Sequence, residues 1–234
     1  KQKRQVETDL ERYFNDDGEL EAKSIFDDWF PEVDADVFIS HSHKDEKAAY
    51  GLAGLLSKEF GLKSFIDSAV WGFADDLLKI FDDKFCRNFD DSAYSYEKRN
   101  ISTTHVHLML NMALLNMMDK SEAIFFYNTP NSVSLKRSID DTMHATHSPW
   151  IFSEISMTRM LRPRKKEDHR MFLKAAMESI QVQDSMPKIR YPLSLKHLIQ
   201  VSAPNFESWL SEAKAKGVNR AEALDLLYQQ AGAE

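Results

Sequence analysis

The sequence predicts an α/β protein built on a flavodoxin-like, doubly wound parallel sheet, with helices added before and after it. Three observations carry that expectation. Asp36-Val-Phe-Ile-Ser40 is a strand-length apolar run that breaks into the polar loop His41–Asp45, and the carboxyl ends of such strands are where open α/β sheets bind ligands. From Asp45 to Phe60 the apolar residues Ala49, Leu52, Ala53, Leu56 and Phe60 recur with helical spacing, and Gly61 supplies a left-handed stop. Ala123-Ile-Phe-Phe-Tyr127 is a second continuous apolar run, suited to a central parallel strand buried on both faces.

The remaining elements follow in order. Residues 3–30 set Val6, Leu10, Tyr13, Phe14, Leu20, Ile25, Phe26, Trp29 and Phe30 among charges, a pattern for one or two amphipathic helices divided at Asp16-Asp17-Gly18. Pro31 ends that pattern because it disfavours helical backbone at the residue before it. Leu62–Asp67 reads as a short strand and Ser68–Ala74 as a loop with two aromatics around a glycine. Asp75–Phe85 is expected to be helical, residues 86–99 polar and irregular, and Ser102–Met118 a helix with Val106, Met109, Leu110, Ala113, Leu114 and Met117 on its apolar face. Asn128–Thr146 reads as a long polar connection. A helix opens at Ser148 and runs to Met160 or Leu161, where Pro163 and the basic run Arg162–Lys166 end it. A further strand includes Ile189–Leu193, and Ser208–Lys216 and Arg220–Gln230 read as closing helices separated by Gly217, with Asn219 at an N-cap. The implied organisation is an N-terminal helical extension over 1–33, an α/β domain over 34–200 with insertions near 86–118 and 128–146, and C-terminal helices over 201–234.

With 234 residues, 43% of them hydrophobic and 11% aromatic, the chain is expected to bury a sizeable core. Its net charge of −7 disfavours nucleic acid as a partner, since a duplex-binding face carries a basic excess. Cys86 stands alone, so no intramolecular disulfide is possible, and a reducing, cytoplasmic location is expected. No stretch reaches the roughly 20 apolar residues that span a bilayer, so no membrane is expected either. His41 and His43 lack further ligands at metal spacing, and His105 and His107 do not share a helix face, so no metal centre is expected. The absence of a P-loop and of a Gly-x-Gly-x-x-Gly run removes support for kinase and Rossmann dehydrogenase activity. Asp82-Asp83 and Asp90-Asp91 read as solvated acids, and Cys86 reads as structural.

The segment from Ser148 to Glu154 carries the chemistry. Ser148 suits an N-cap, and Pro149 suits the first helical position, where no N–H is needed. Trp150 and Glu154 then share a face one turn apart, so an indole and a carboxylate can wall one pocket near the positive end of the helix. Such a carboxylate can steady a positively charged transition state.

Two segments together resemble a known family. Val37-Phe-Ile-Ser-His-Ser-His-Lys-Asp45 resembles the opening strand and loop of TIR (Toll/interleukin-1 receptor) domains, and Ser148-x-Trp150-x-x-x-Glu154 resembles their Ser-x-Trp-x-x-x-Glu helix motif. Phe65-Ile-Asp67 and the Trp71–Ala74 loop stand where the family has its second strand and BB loop, and Ala123–Tyr127 where it has the strand before the glutamate helix. The loop lacks the Arg-Asp and Pro-Gly character of animal signalling members, and the whole is closer to bacterial TIR proteins of anti-phage defence such as Thoeris. The resemblance implies cleavage of the nicotinamide–ribose bond of NAD, with NAD as substrate and no cofactor. It implies Glu154 as the catalytic group stabilising the ribose oxocarbenium ion, and Trp71 and Trp150 as stacking partners for nicotinamide or adenine. Ser40, His41, Ser42 and Lys44 would contact ribose and phosphate, with Phe38 and Asp67 completing the substrate-binding set. It further implies self-association through TIR surfaces and a separate effector reached by a diffusible nucleotide. Water as nucleophile gives ADP-ribose, and an atom of the substrate's own adenine or ribose gives a cyclic isomer. The other reading within the family is a non-catalytic interaction module.

Overall fold

A parallel pairing set by strand β1 (Val37–Ser40) organises the part of the chain that carries the motifs, and all four of its residues are buried. The structure, a computed structural model, describes residues 10–16, 18–89, 93–137, 142–161, 191–192 and 195–232, without the side chains of 67–73, 135–137, 142–144 and 191–192. Strand β2 (Ser64–Ile66) pairs with one edge of β1, and β3 (Ala123–Phe126) pairs with the other, both parallel to it. The sheet order is β2-β1-β3, with Ser40 opposite Phe126 at the carboxyl end of the ladder. This is a mixed α/β architecture with a small parallel sheet flanked by helices.

Side chains alternate across a strand, so Val37 and Ile39 face one way and Phe38 and Ser40 the other. Val37 and Ile39 enter a cluster with Ala49, Leu56 and Phe60 of helix α2 (Glu46–Phe60). Helix α2 ends as its sequence dictates, because Gly61 takes the left-handed conformation at φ 67° and its N–H donates to Ser57 O. The same cluster holds Trp209 and Ala213 from α6 (Ala203–Lys216), and Ala223, Leu224, Leu226 and Leu227 from α7 (Arg220–Ala231). Trp209 is fully buried against Phe60, and its indole N–H donates to Ala223 O at 2.7 Å. An aromatic of that size contributes several kcal/mol of burial, about 25 cal/mol per Å² of apolar surface. The C-terminal helices therefore build the core beside the sheet. Ser202 caps α6 through Asn205 N, whereas Asn219 occupies the N-cap position of α7 without a side-chain cap bond.

The described chain divides into two units, and the sheet belongs to the one formed by 34–67, 117–161 and 191–232. The other comprises 10–33 and 68–116 among the described residues. In the latter, the stretch 3–30, expected to hold one or two helices, carries helix α1 (Ala22–Trp29) and, before it, a 3-10 turn (Glu11–Tyr13); residues 1–9 lie outside the description. Helix α3 (Asp67–Phe85) joins α4 (Tyr96–Lys120) through the buried Asp82, which accepts from Ser102 Oγ at 2.6 Å and Arg99 Nε at 2.8 Å. Asp82 is thus a buried helix tie, not the solvated acid expected.

Four further expectations are corrected. Ser68–Ala74 is helical, not a loop, because Val70, Phe73, Ala74, Leu77 and Phe81 continue a helical repeat into the body of α3. Gly72 lowers helix propensity by only about 1 kcal/mol and does not break that repeat. The irregular stretch 86–99 is shorter than expected, since α4 already begins at Tyr96, and Arg87 and Tyr94 form an antiparallel bridge. The polar connection 128–146 contains a hairpin, β4 (Ser134–Arg137) against β5 (Thr142–Thr146), whose alternation of apolar and polar residues is diluted by charges. The expected strand Ile189–Leu193, by contrast, is a strand in its described part, where Tyr191–Pro192 is β6, paired antiparallel with β5. Finally, β3 is mostly half-buried rather than buried on both faces, and among the described residues it pairs on one side only, whereas β1 pairs on both. The basic run Arg162–Lys166 lies outside the described residues.

Candidate active site around Glu154

Helix α5 (Pro149–Met160) starts where its sequence requires. The Ser148 hydroxyl accepts from Ile151 N at 3.2 Å, and Pro149 fills the first turn. Thr146 Oγ1 in turn accepts from Ser148 N at 3.1 Å, so the entry to the helix is pinned to β5. Ile151 and Ile155 pack with Val133, Phe126, Phe152, Leu195 and Leu198, which fixes the rotation of α5 about its axis. That rotation directs Glu154 at the end of β1. The Ser40 hydroxyl donates to Glu154 Oε2 at 2.5 Å, and both residues are only 1% exposed. The two segments singled out in the sequence, 114 residues apart, therefore meet in one buried contact.

A carboxylate so enclosed must be held by polar neighbours, since burying a charge costs heavily without them. The hydroxyl–carboxylate separation lies in the short range typical of charge-assisted bonds. When ionised, a carboxylate placed in this way is a pre-oriented negative group in a low-dielectric setting, able to stabilise positive charge far more strongly than one in water.

The other expected site residues distribute unevenly. His41 and Ser42 are buried directly after Ser40, in the loop leaving β1, whereas Lys44 is exposed. Phe38 is fully buried, its ring 5.3 Å from that of Phe65, so it packs the sheet. Trp150 is half-buried on the first turn of α5. Asp67 and Trp71 fall at the start of α3, and their side chains lie outside those described.

The structure adds residues that sequence reasoning missed. Asp45 accepts from Thr129 Oγ1 and from Asn131 Nδ2, joining the loop after β1 to the loop after β3. One turn beyond Glu154, Thr158 Oγ1 lies 2.8 Å from Ile155 O and 2.8 Å from His197 Nε2, within hydrogen-bond distance of both. Partial burial and the nearby Arg159 hold His197 below the ordinary histidine pKa. No local pattern announces either pairing. The partners are separated by 84 and 39 residues, and each side chain taken alone is an ordinary loop or helix polar group.

Among the described residues no group of three His, Cys, Asp or Glu could hold a metal ion, and no helix is long and apolar enough to cross a membrane. A surface cleft lined by Tyr94, Tyr96, Arg99, Asn100 and Thr103 belongs to the other unit. Comparison of the chain with protein-family models, with curated proteins and with solved structures found no match.

Proposed function

We propose that the chain is a cytoplasmic, TIR-type enzyme of flavodoxin-like topology that cleaves the bond between nicotinamide and ribose in NAD. The observation that carries this reading is the buried Ser40–Glu154 contact at the carboxyl end of the parallel sheet. It joins the two segments on which the family resemblance rests. The sheet order β2-β1-β3 is compatible with a flavodoxin-like arrangement.

In the proposed reaction the C–N bond breaks with its electron pair leaving on nicotinamide, which departs as a neutral base and needs little acid assistance. Positive charge grows on the ribose, as in glycoside hydrolysis, and Glu154 stabilises it. Water then gives ADP-ribose, or an atom of the substrate's own adenine or ribose gives a cyclic isomer, a product suited to signalling to a separate effector in bacterial anti-phage immunity. Because Glu154 is 1% exposed, turnover requires the site to open, and self-association of the kind the resemblance implies is one route to that state.

The same low exposure favours a second reading. A glutamate tied to Ser40 within the interior can act as a structural lock in a non-catalytic TIR interaction module. Incubating concentrated wild-type protein and Glu154→Gln with NAD, with mass-spectrometric identification of nicotinamide, ADP-ribose and cyclic isomers, separates the two. Nicotinamide release by the wild type alone supports the enzyme. Folded, self-associating wild-type protein that leaves NAD intact supports the module.

A further inference from the structure

Asp45 stands at the N-cap position of α2, where an aspartate ordinarily accepts from a backbone N–H of the first turn and stabilises the helix by about 1 kcal/mol. Here its side chain makes no cap bond. The carboxylate reaches across the sheet edge instead: one oxygen accepts from Asn131 Nδ2 at 2.8 Å, and the other from Thr129 Oγ1. Both donors lie in the loop leaving β3, which is braced from within. Thr129 Oγ1 accepts from Asn131 N at 3.1 Å, and the buried Ser132 hydroxyl accepts from Thr129 N at 2.8 Å.

The two ends of this loop lead to the Glu154 site. At one end Tyr127 N donates to Ser40 O at 2.8 Å. At the other, Val133 packs with Ile151 and Ile155, which flank Glu154 along α5. A closed circuit results, running from Ser40 through the loop after β1 to Asp45, across to Thr129 and Asn131, along to Val133, into α5, and back from Glu154 to Ser40.

We infer that Asp45 is a positioning residue for the Glu154 site: by locking the loop after β3 onto the loop after β1, it seats Val133 against α5 and holds the Glu154 carboxylate opposite Ser40. The catalytic consequence rests on the NAD-cleaving reading, whereas the positioning itself rests on the contacts alone. An acceptor with two oxygens fits this place because two donors converge on it, and the helix forgoes its own cap to provide it.

Hydrogen-exchange mass spectrometry and NAD kinetics on the full chain test the inference with wild type, Asp45→Ala and Asp45→Asn. The alanine variant removes both acceptors. Backbone exchange should rise about tenfold across residues 127–133 and the first turns of α5, with α6 and α7 unchanged. The asparagine variant keeps an acceptor for Thr129, and its amide pairs with Asn131 once that amide turns over, so exchange should return close to wild type. In turnover, kcat of the alanine variant should fall about tenfold or more with KM little changed, within the roughly 100-fold that a misplacement of about 1 Å can cost. Recovery of kcat in the asparagine variant is expected. Unchanged exchange in α5, a uniform rise that includes α6 and α7, or equal loss in the asparagine variant overturns the inference. Wild-type protein that cleaves no NAD but shows the expected exchange pattern refutes the reaction and leaves the positioning in place. Full kcat in Asp45→Ala does the reverse.

Discussion

Replacing Ser40 by alanine deletes one hydroxyl from a contact in which both partners are 1% exposed. The side chain barely changes in size, so the cost is that of the hydrogen bond and not of a cavity. At 2.5 Å the bond is at the short end of the charge-assisted range, and a bond to a charged group is worth about 1.5–3 kcal/mol. In a Glu154→Gln background the hydroxyl meets a neutral amide, and the same replacement should cost about 0.5–1.5 kcal/mol. The difference, about 1 kcal/mol or more, is the coupling between the two side chains, read from a double-mutant cycle of four proteins unfolded in urea. Each transition should be followed by a probe in the sheet-containing unit, because the chain divides into two units that need not unfold together. A loss below about 0.5 kcal/mol for Ser40→Ala, or equal losses in both backgrounds, would refute the view that Ser40 holds a charged Glu154.

Other expectations concern the scaffold. Trp209→Ala removes the fully buried indole and its bond to Ala223 O, so it should destabilise the sheet unit by about 3–5 kcal/mol in urea; a loss below about 1 kcal/mol would show that α6 and α7 contribute little to the core. The hydrogen bond from Lys214 holds the Glu59 carboxyl below the ordinary glutamate range, so this pair stabilises the fold above the unfolded pKa of Glu59 and is lost as pH falls through the folded value. Lys214→Ala should move the NMR-detected titration of Glu59 upward, and an unmoved midpoint would dissolve the assigned cause. Burial raises the pKa of the Cys86 thiol, so alkylation of native protein at pH 8 should be about 100-fold slower than in urea; equal rates would place the thiol at the surface.

Much of the scaffold was readable where one residue has one local task. Ser148 and Pro149 start α5, Gly61 stops α2 through its positive φ, and the apolar run Val37–Ser40 becomes a strand because it can be buried on both faces. The structure departs from the sequence pattern where local patterns compete. Trp71 and Phe73 around Gly72 look like a ligand loop, yet the helical repeat running through them prevails. Ala123–Phe126 is as apolar as β1, and apolarity alone cannot say which strand, among the described residues, has neighbours on both sides. The pairing of β4 with β5 was hidden by the charges in that stretch. At the candidate site, the glutamate and the strand end were legible because each belongs to a local motif. Asp45 ends the same motif, but its role was not legible, because it depends on Thr129 and Asn131 arriving from a loop that only the fold brings near.

The most direct measurement is a proton NMR time course of NAD with concentrated wild-type protein and with Glu154→Gln, after matched urea unfolding has shown that both are folded. Free nicotinamide should accumulate with the wild type, and its rate of release should fall by about 100-fold or more in the variant, the scale lost when a preorganised electrostatic group is removed. Equal nicotinamide release by the two folded proteins, or none by either, would contradict the proposed reaction.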